Sequence, residues 1–146
     1  MKQKIMRIIK FRAWNTGKRM KKGMYSWENM VENLESELNP AKSLFAPFIQ
    51  TAEFKEKPWI TLMQFTGLSD GLGKEIYEGD IVKFENIMDD DEKQFIGKII
   101  FQDCGCGFGY YIEQPTSENE STLYLLSNDF DIEIIGNIYE NPKLLK

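Results

Sequence analysis

Leu62-Met63-Gln64-Phe65-Thr66-Gly67-Leu68-Ser69-Asp70-Gly71-Leu72-Gly73-Lys74-Glu75-Ile76-Tyr77-Glu78-Gly79-Asp80-Ile81-Val82 is the stretch from which the fold is read. It opens on a strand pattern, Trp59–Phe65. It then crosses a glycine-rich turn segment, Gly67–Lys74, and resumes as a strand over Ile76–Phe84. Ile76, Ile81, Val82 and Phe84 are placed inside, and Glu78-Gly79-Asp80 supplies a bend or bulge. Outward from this core every pattern on the C-terminal side is β. Phe95–Phe101, Gly107–Gln114, Leu123–Leu126 and Ile132–Tyr139 read as short strands separated by turn signals, and Asn141-Pro142 stops the last. Five or six such strands point to a small barrel or sandwich.

On the N-terminal side, Ile5–Trp14 alternates as a half-buried strand, with Ile5, Ile9, Phe11 and Ala13 on one face. Asn15-Thr16-Gly17-Lys18 is a turn, and Gly23–Trp27 closes a hairpin. Ser26 is placed to cap a helix from Trp27 to about Leu38, with Met30, Val31, Leu34 and Leu38 on one side and Asn39-Pro40 as the stop. Residues 41–58 have no clean period and read as a connector. The expected class is mainly β with one short helix. An N-terminal β-hairpin, helix and connector (residues 1–58) precede a small SH3-like β-barrel with a C-terminal tail (residues 59–146).

Composition excludes much chemistry. The chain has 146 residues and no His, so no Ser-His-Asp or Cys-His catalysis and no His-ligated metal is possible. Two Cys cannot build a disulfide framework. The longest uninterrupted apolar run is Leu123–Leu126, far short of the ~20 residues of a membrane span. The start resembles a signal peptide until Arg7, Lys10 and Arg12 interrupt its apolar stretch. The chain therefore reads as cytoplasmic, with no cofactor, no metal and no membrane partner.

Charge is divided unevenly. Residues 1–27 carry nine bases and no acid, leaving nine bases against 23 acids in the other 119, for a net charge of −5. The basic segment has three readings. It is a solvated strand face and turn, a surface for the acidic body of its own or a neighbouring chain, or a nucleic-acid contact through Lys10, Arg12, Lys18, Arg19, Lys21 and Lys22. The acidic whole repels phosphate, which weakens the last.

Three blocks resemble the YopX family of phage and prophage proteins. The first is Lys10-Phe11-Arg12-Ala13-Trp14, followed by Met20 and Met24-Tyr25. The second is Leu62–Leu68, Asp70 and Gly73–Val82. The third is Glu133-Ile134-Ile135-Gly136-Asn137-Ile138-Tyr139-Glu140-Asn141-Pro142. The resemblance implies a largely β protein encoded by a phage or integrated element, acting in the bacterial host. It brings no catalytic residues.

The remaining motifs have plain readings. Gly67–Lys74 is not a phosphate loop, because Gly67 and Gly73 are separated by five residues rather than four and Glu75 replaces the Ser/Thr. A hairpin turn with Asp70-Gly71 and Gly73 at positive φ is expected instead. Asp89-Asp90-Asp91-Glu92 lacks the spacing of a calcium loop and reads as a solvated acidic segment. Cys104-Gly105-Cys106 is a turn without the ligands for zinc. Most aromatics are expected in the core, with Trp14 and Trp27 left open. Paired carboxylates alone could hydrolyse glycosides, but 23 acids make chance pairs common. The function expected is a non-enzymatic phage or prophage accessory binding protein. It acts through contacts with a phage or host protein and forms a homo-oligomer. The second choice is a nucleic-acid-binding module.

Overall fold

The computed structural model describes residues 8–17, 21–30, 60–86, 93–105, 107–117 and 119–146. Nine strands are assigned among them. They are β1 (Phe11–Asn15), β2 (Gly23–Tyr25), β3 (Ile60–Ser69), β4 (Glu75–Tyr77), β5 (Asp80–Asn86), β6 (Phe95–Asp103), β7 (Phe108–Pro115), β8 (Ser121–Leu125) and β9 (Phe130–Asn137). Their hydrogen-bonded orders are β2-β1-β3-β4 and β8-β7-β6-β5-β9, antiparallel throughout. The mainly β class is therefore observed, as two antiparallel sheets with one half-barrel. The chain divides into two compact units, the described parts of Ile8–Gln64 and of Phe65–Lys146.

In the first unit the expected hairpin forms, with Ala13 opposite Tyr25 and Asn15 opposite Gly23. β1 also pairs with the first half of β3, Phe11 opposite Gln64 and Asn15 opposite Ile60. Pairing begins at Phe11, so Ile9, expected on a buried face, is 57% exposed, and Ile8 is exposed beside it. The cap at Ser26 is reciprocal. The Asn29 N–H donates to Ser26 Oγ (3.2 Å), and the Ser26 N–H donates to Asn29 Oδ1 (3.3 Å). Helix follows at Trp27–Met30, closing its first turn with Met30 N–H to Ser26 C=O. Met30, Ala13 and Ile60 make the buried core here, with Phe11, Tyr25 and Trp27 packed on it. The rest of the expected helix and the 41–58 connector lie outside the described residues.

In the second unit, alternation on β5 and β6 decides the core. Val82 and Phe84 of β5 lie opposite Gly97 and Phe95 of β6, and Ile99 lies opposite Ile112 of β7. These residues share one face with Ile132 of β9. Together with Ile76 they form the buried cluster. Phe84 anchors a ring set, with centroids 5.7 Å from Phe95, 5.2 Å from Tyr124 and 5.6 Å from Phe130. β9 ends at Asn137, two residues short of the expected strand end at Tyr139; a turn over 138–140 leads to Asn141-Pro142, and a 3₁₀ turn, Pro142–Leu145, contacts β6.

At Gly97, β6 lies close against β7. A Cβ there would lie 2.7 Å from Ile112 Cγ2 and 2.8 Å from the Glu113 carbonyl oxygen. Backbone cannot yield as a side-chain tip can, so added volume strains the sheet. Gly97→Ala is expected to cost about 1–3 kcal/mol of stability in urea unfolding. An unchanged midpoint would show that β6 and β7 separate freely at this point.

Candidate functional site

Four polar side chains are buried among the described residues: Asn15, Asp70, Asp80 and Asn137. Each accepts hydrogen bonds from backbone N–H groups of a tight turn. Asn15 Oδ1 accepts from Gly17 (2.8 Å), and Asp80 Oδ2 from Tyr77 (2.8 Å). Asn137 Oδ1 accepts from Tyr139 (3.1 Å) and Glu140 (3.0 Å). Buried polar groups are tolerated when bonded in this way, and short Asn/Asp side chains hold turns two or three residues away.

Asp70 carries the largest load. Its Oδ1 accepts from the N–H groups of Leu72 (3.0 Å) and Lys74 (2.8 Å), and its carbonyl from Gly73 (2.9 Å). Its Oδ2 faces β9 and accepts from the Ile134 N–H (3.4 Å). One residue on, the Gly71 N–H donates to the Ile132 carbonyl (3.0 Å). The outer edge of β9 is thereby occupied by this turn. The loop's four successive amides, Gly71 to Lys74, all point to acceptors of the chain itself. A protein carboxylate sits where a phosphate loop would hold its anion, which confirms the hairpin reading. One detail differs from expectation. Positive φ falls at Gly67 (92°) and Gly73 (83°), not at Gly71. Gly67 sits where β3 slips register against β4, and the Thr66 hydroxyl bridges that slip by donating to the Ile76 carbonyl (2.9 Å).

The other two turns lock onto the same sheet. Glu78-Gly79 links β4 to β5, with Gly79 at φ 76°. The Gly79 N–H donates to the Ile99 carbonyl, and the Gly79 carbonyl accepts from the Ile138 N–H, both at 2.9 Å. After β9, Asn137 Nδ2 donates to Glu140 Oε2 (2.6 Å), and Asn141 Oδ1 accepts from the Asn137 N–H (3.3 Å). Asn141 comes so near that a Cβ on Gly136 would lie 2.6 Å from its Oδ1. The second and third sequence blocks thus meet through backbone bonds, and their buried polar side chains, Asp70, Asp80 and Asn137, are engaged within the fold.

The basic residues named from sequence are not gathered into one patch among the described residues. Lys10 precedes β1 and Arg12 lies on it, both part-buried. Lys21 and Lys22 are exposed just before β2, with Lys22 Nζ 5.8 Å from the Trp14 ring centroid. Asn15, paired with Gly23, is five strand residues from Lys10, roughly 17 Å along β1. Lys18 and Arg19 lie outside the described residues. Trp14 is buried, so its ring offers no open face for base stacking, and Trp27 is part-buried against Phe11.

Two open features stand out among the described residues. A shallow cleft of about 110 Å³ is lined by Lys83, Phe84, Glu85, Gln94, Asp131 and Glu133, with Lys83 and Glu133 3.9 Å apart. Small-molecule sites usually enclose ~300 Å³ or more. The second is apolar. Phe101 and Phe108 are 48% and 75% exposed and stacked at 5.9 Å, and Leu125 on β8 is 61% exposed. Phe108 departs from the expectation that most aromatics are core and lies at the turn end of the β6–β7 hairpin. The adjoining turn carries Cys104, an exposed thiol whose Sγ accepts from the Tyr111 hydroxyl (2.7 Å). Cys106 and the acidic run 89–92 lie outside the described residues. No group of three or more Cys, Asp or Glu side chains among the described residues is disposed to hold a metal ion. None of their helices is long and apolar enough to cross a membrane.

A mainly β chain whose signature blocks are interlocked turns defines a class by its architecture. The chain belongs to the YopX protein family, whose model matches residues 10–146. It is similar to the crystal structure of protein EF1440 from Enterococcus faecalis, at 25% identity, 97% coverage of this chain and 100% of that one, and a TM-score of 0.51. It shares its fold with the crystal structure of protein yopX from Bacillus subtilis, at 20% identity, 94% and 98% coverage, and a TM-score of 0.52. No curated protein sequence matches the chain.

Asp70→Ala strands three backbone donors at once. It is expected to cost about 3 kcal/mol, read as a lowered thermal or urea midpoint. Asp70→Asn keeps one carbonyl oxygen and is expected to cost less. Equal and small losses for both would remove the clamp from the account of stability.

Proposed function

We propose that this chain is a phage- or prophage-encoded accessory binding protein. It works in the cytoplasm of the bacterial host through protein contacts, without catalysis of its own, and it self-associates. The observation that carries this is the division of groups just described. The buried polar side chains of the second and third blocks, Asp70, Asp80 and Asn137, are spent on turns, while large apolar side chains of the second unit stand open at Phe101, Phe108 and Leu125. Exposed apolar clusters favour macromolecular contact over chemistry on a small substrate. The resemblance of its three blocks to phage and prophage proteins supports the genomic setting.

The nucleic-acid reading rests on Lys21 and Lys22, exposed beside the hairpin turn. Against it stand the acidic whole and the placement of Lys10 and Arg12 toward the other end of β1.

Size exclusion with light scattering and absorbance at two wavelengths separates the two. The full chain, purified without nuclease, is expected to elute as an oligomer free of nucleic acid. A monomer carrying nucleic acid that salt strips away would put the basic segment first.

A further inference from the structure

The two edges of the five-stranded sheet are treated oppositely. β9 is covered, because Gly71 and the Asp70 carboxylate take its outward Ile132 carbonyl and Ile134 amide. It also carries Asp131 and Glu133, which would repel their own copies. β8 is bare. Every residue of Ser121-Thr122-Leu123-Tyr124-Leu125 except Tyr124 is exposed, and among the described residues β7 is its one strand partner. Natural edge strands are usually protected by charge, proline or a covering segment. β8 has no Lys, Arg, Asp, Glu or Pro.

We infer that β8 is the strand through which two copies of this chain join, antiparallel and centred on Leu123. This deepens the self-association proposed above and rests on it.

The register supports a symmetric join. The Leu126 N–H donates to the Tyr110 carbonyl, marking that pair as hydrogen-bonded toward β7. Hydrogen-bonded pairs alternate in an antiparallel ladder, so Tyr124 and Thr122 also turn their backbone groups toward β7. Ser121, Leu123 and Leu125 therefore direct N–H and C=O outward. A twofold axis at Leu123 places Leu123 opposite its own copy, Ser121 opposite the second copy's Leu125, and Leu125 opposite its Ser121. Each of these is a pair that exchanges two backbone bonds. The same strand thus supplies both halves of the ladder, as an isologous contact requires. Leu123 and Leu125 of both copies then share one face. An uncharged strand meets its copy with no like-charge contact within the pairing, which neither the acid-bearing β9 nor the three-residue β4 with Glu75 offers.

The test is sedimentation velocity of the full chain over a wide concentration range, with three variants. Leu123→Pro removes an outward N–H and leaves the ladder to β7 intact. Leu123→Lys sets two ammonium groups face to face across the axis. Leu144→Lys, at an exposed leucine of the 3₁₀ turn, is the control. The wild type and the control are expected to assemble reversibly. Both Leu123 variants should raise the dissociation constant by roughly tenfold or more, since symmetry removes each contact twice. Melting curves check folding, and Leu123→Lys decides the matter if the proline variant melts early. Assembly unchanged in a folded Leu123→Lys overturns the β8 join and leaves self-association standing. A wild type that stays monomeric at the highest attainable concentration, including one that binds only a different protein's strand, overturns both.

Discussion

The hydrogen bonding of one carboxylate organises the larger unit. Asp70 turns one oxygen into its own loop and the other toward β9, 64 residues further along the chain. A turn that would otherwise be local becomes the cover of a sheet edge. Burying such a group without partners would be costly, and the geometry supplies amide donors to both oxygens. The β3–β4 hairpin is thereby fixed to the half-barrel at the strand that begins the third signature block.

The same device recurs at smaller scale. Asn15, Asp80 and Asn137 each hold a turn through backbone amides, and Gly79 passes hydrogen bonds between β6 and the residue that follows β9. This explains why blocks that look like a functional signature contain so little reactive chemistry. Their residue types meet the demands of turns: short acceptors, a positive φ at Gly79, and room for Asn141 against Gly136. What these turns leave outside is the aromatic end of the β6–β7 hairpin and the exposed strand β8, the surfaces on which the proposed contacts rest.

Local pattern made much of this legible. Ile76, Ile81, Val82 and Phe84 read as interior from alternation and are all buried, and the bend at Gly79 falls where its neighbours imply it. The Ser26 cap is equally local, three residues from its partner. What sequence does not reveal depends on partners far away or on position in the sheet. Nothing within Leu68–Leu72 announces that Asp70 will meet Ile134. Phe108 and Leu125 have the composition of core residues and are exposed because one ends a hairpin and the other lies on an edge. Ile9 differs for a similar reason, since the pairing of β1 with β3 begins only at Phe11. The basic segment was legible as charge, but only pairing shows that Lys10 and Lys22 stand toward opposite ends of β1.

Residue-resolved amide exchange on the dilute native chain tests the contrast between the two edges most directly. If Asp70 closes β9 and β8 is left open, the amides of Ile134, Leu72 and Lys74 exchange only through large-scale unfolding. Those of Ser121, Leu123 and Leu125 exchange nearly unprotected at the same dilution. An Ile134 amide that exchanges as fast as Leu123 would contradict the closure of β9, and slow exchange at Leu123 in a monomer would contradict the openness of β8.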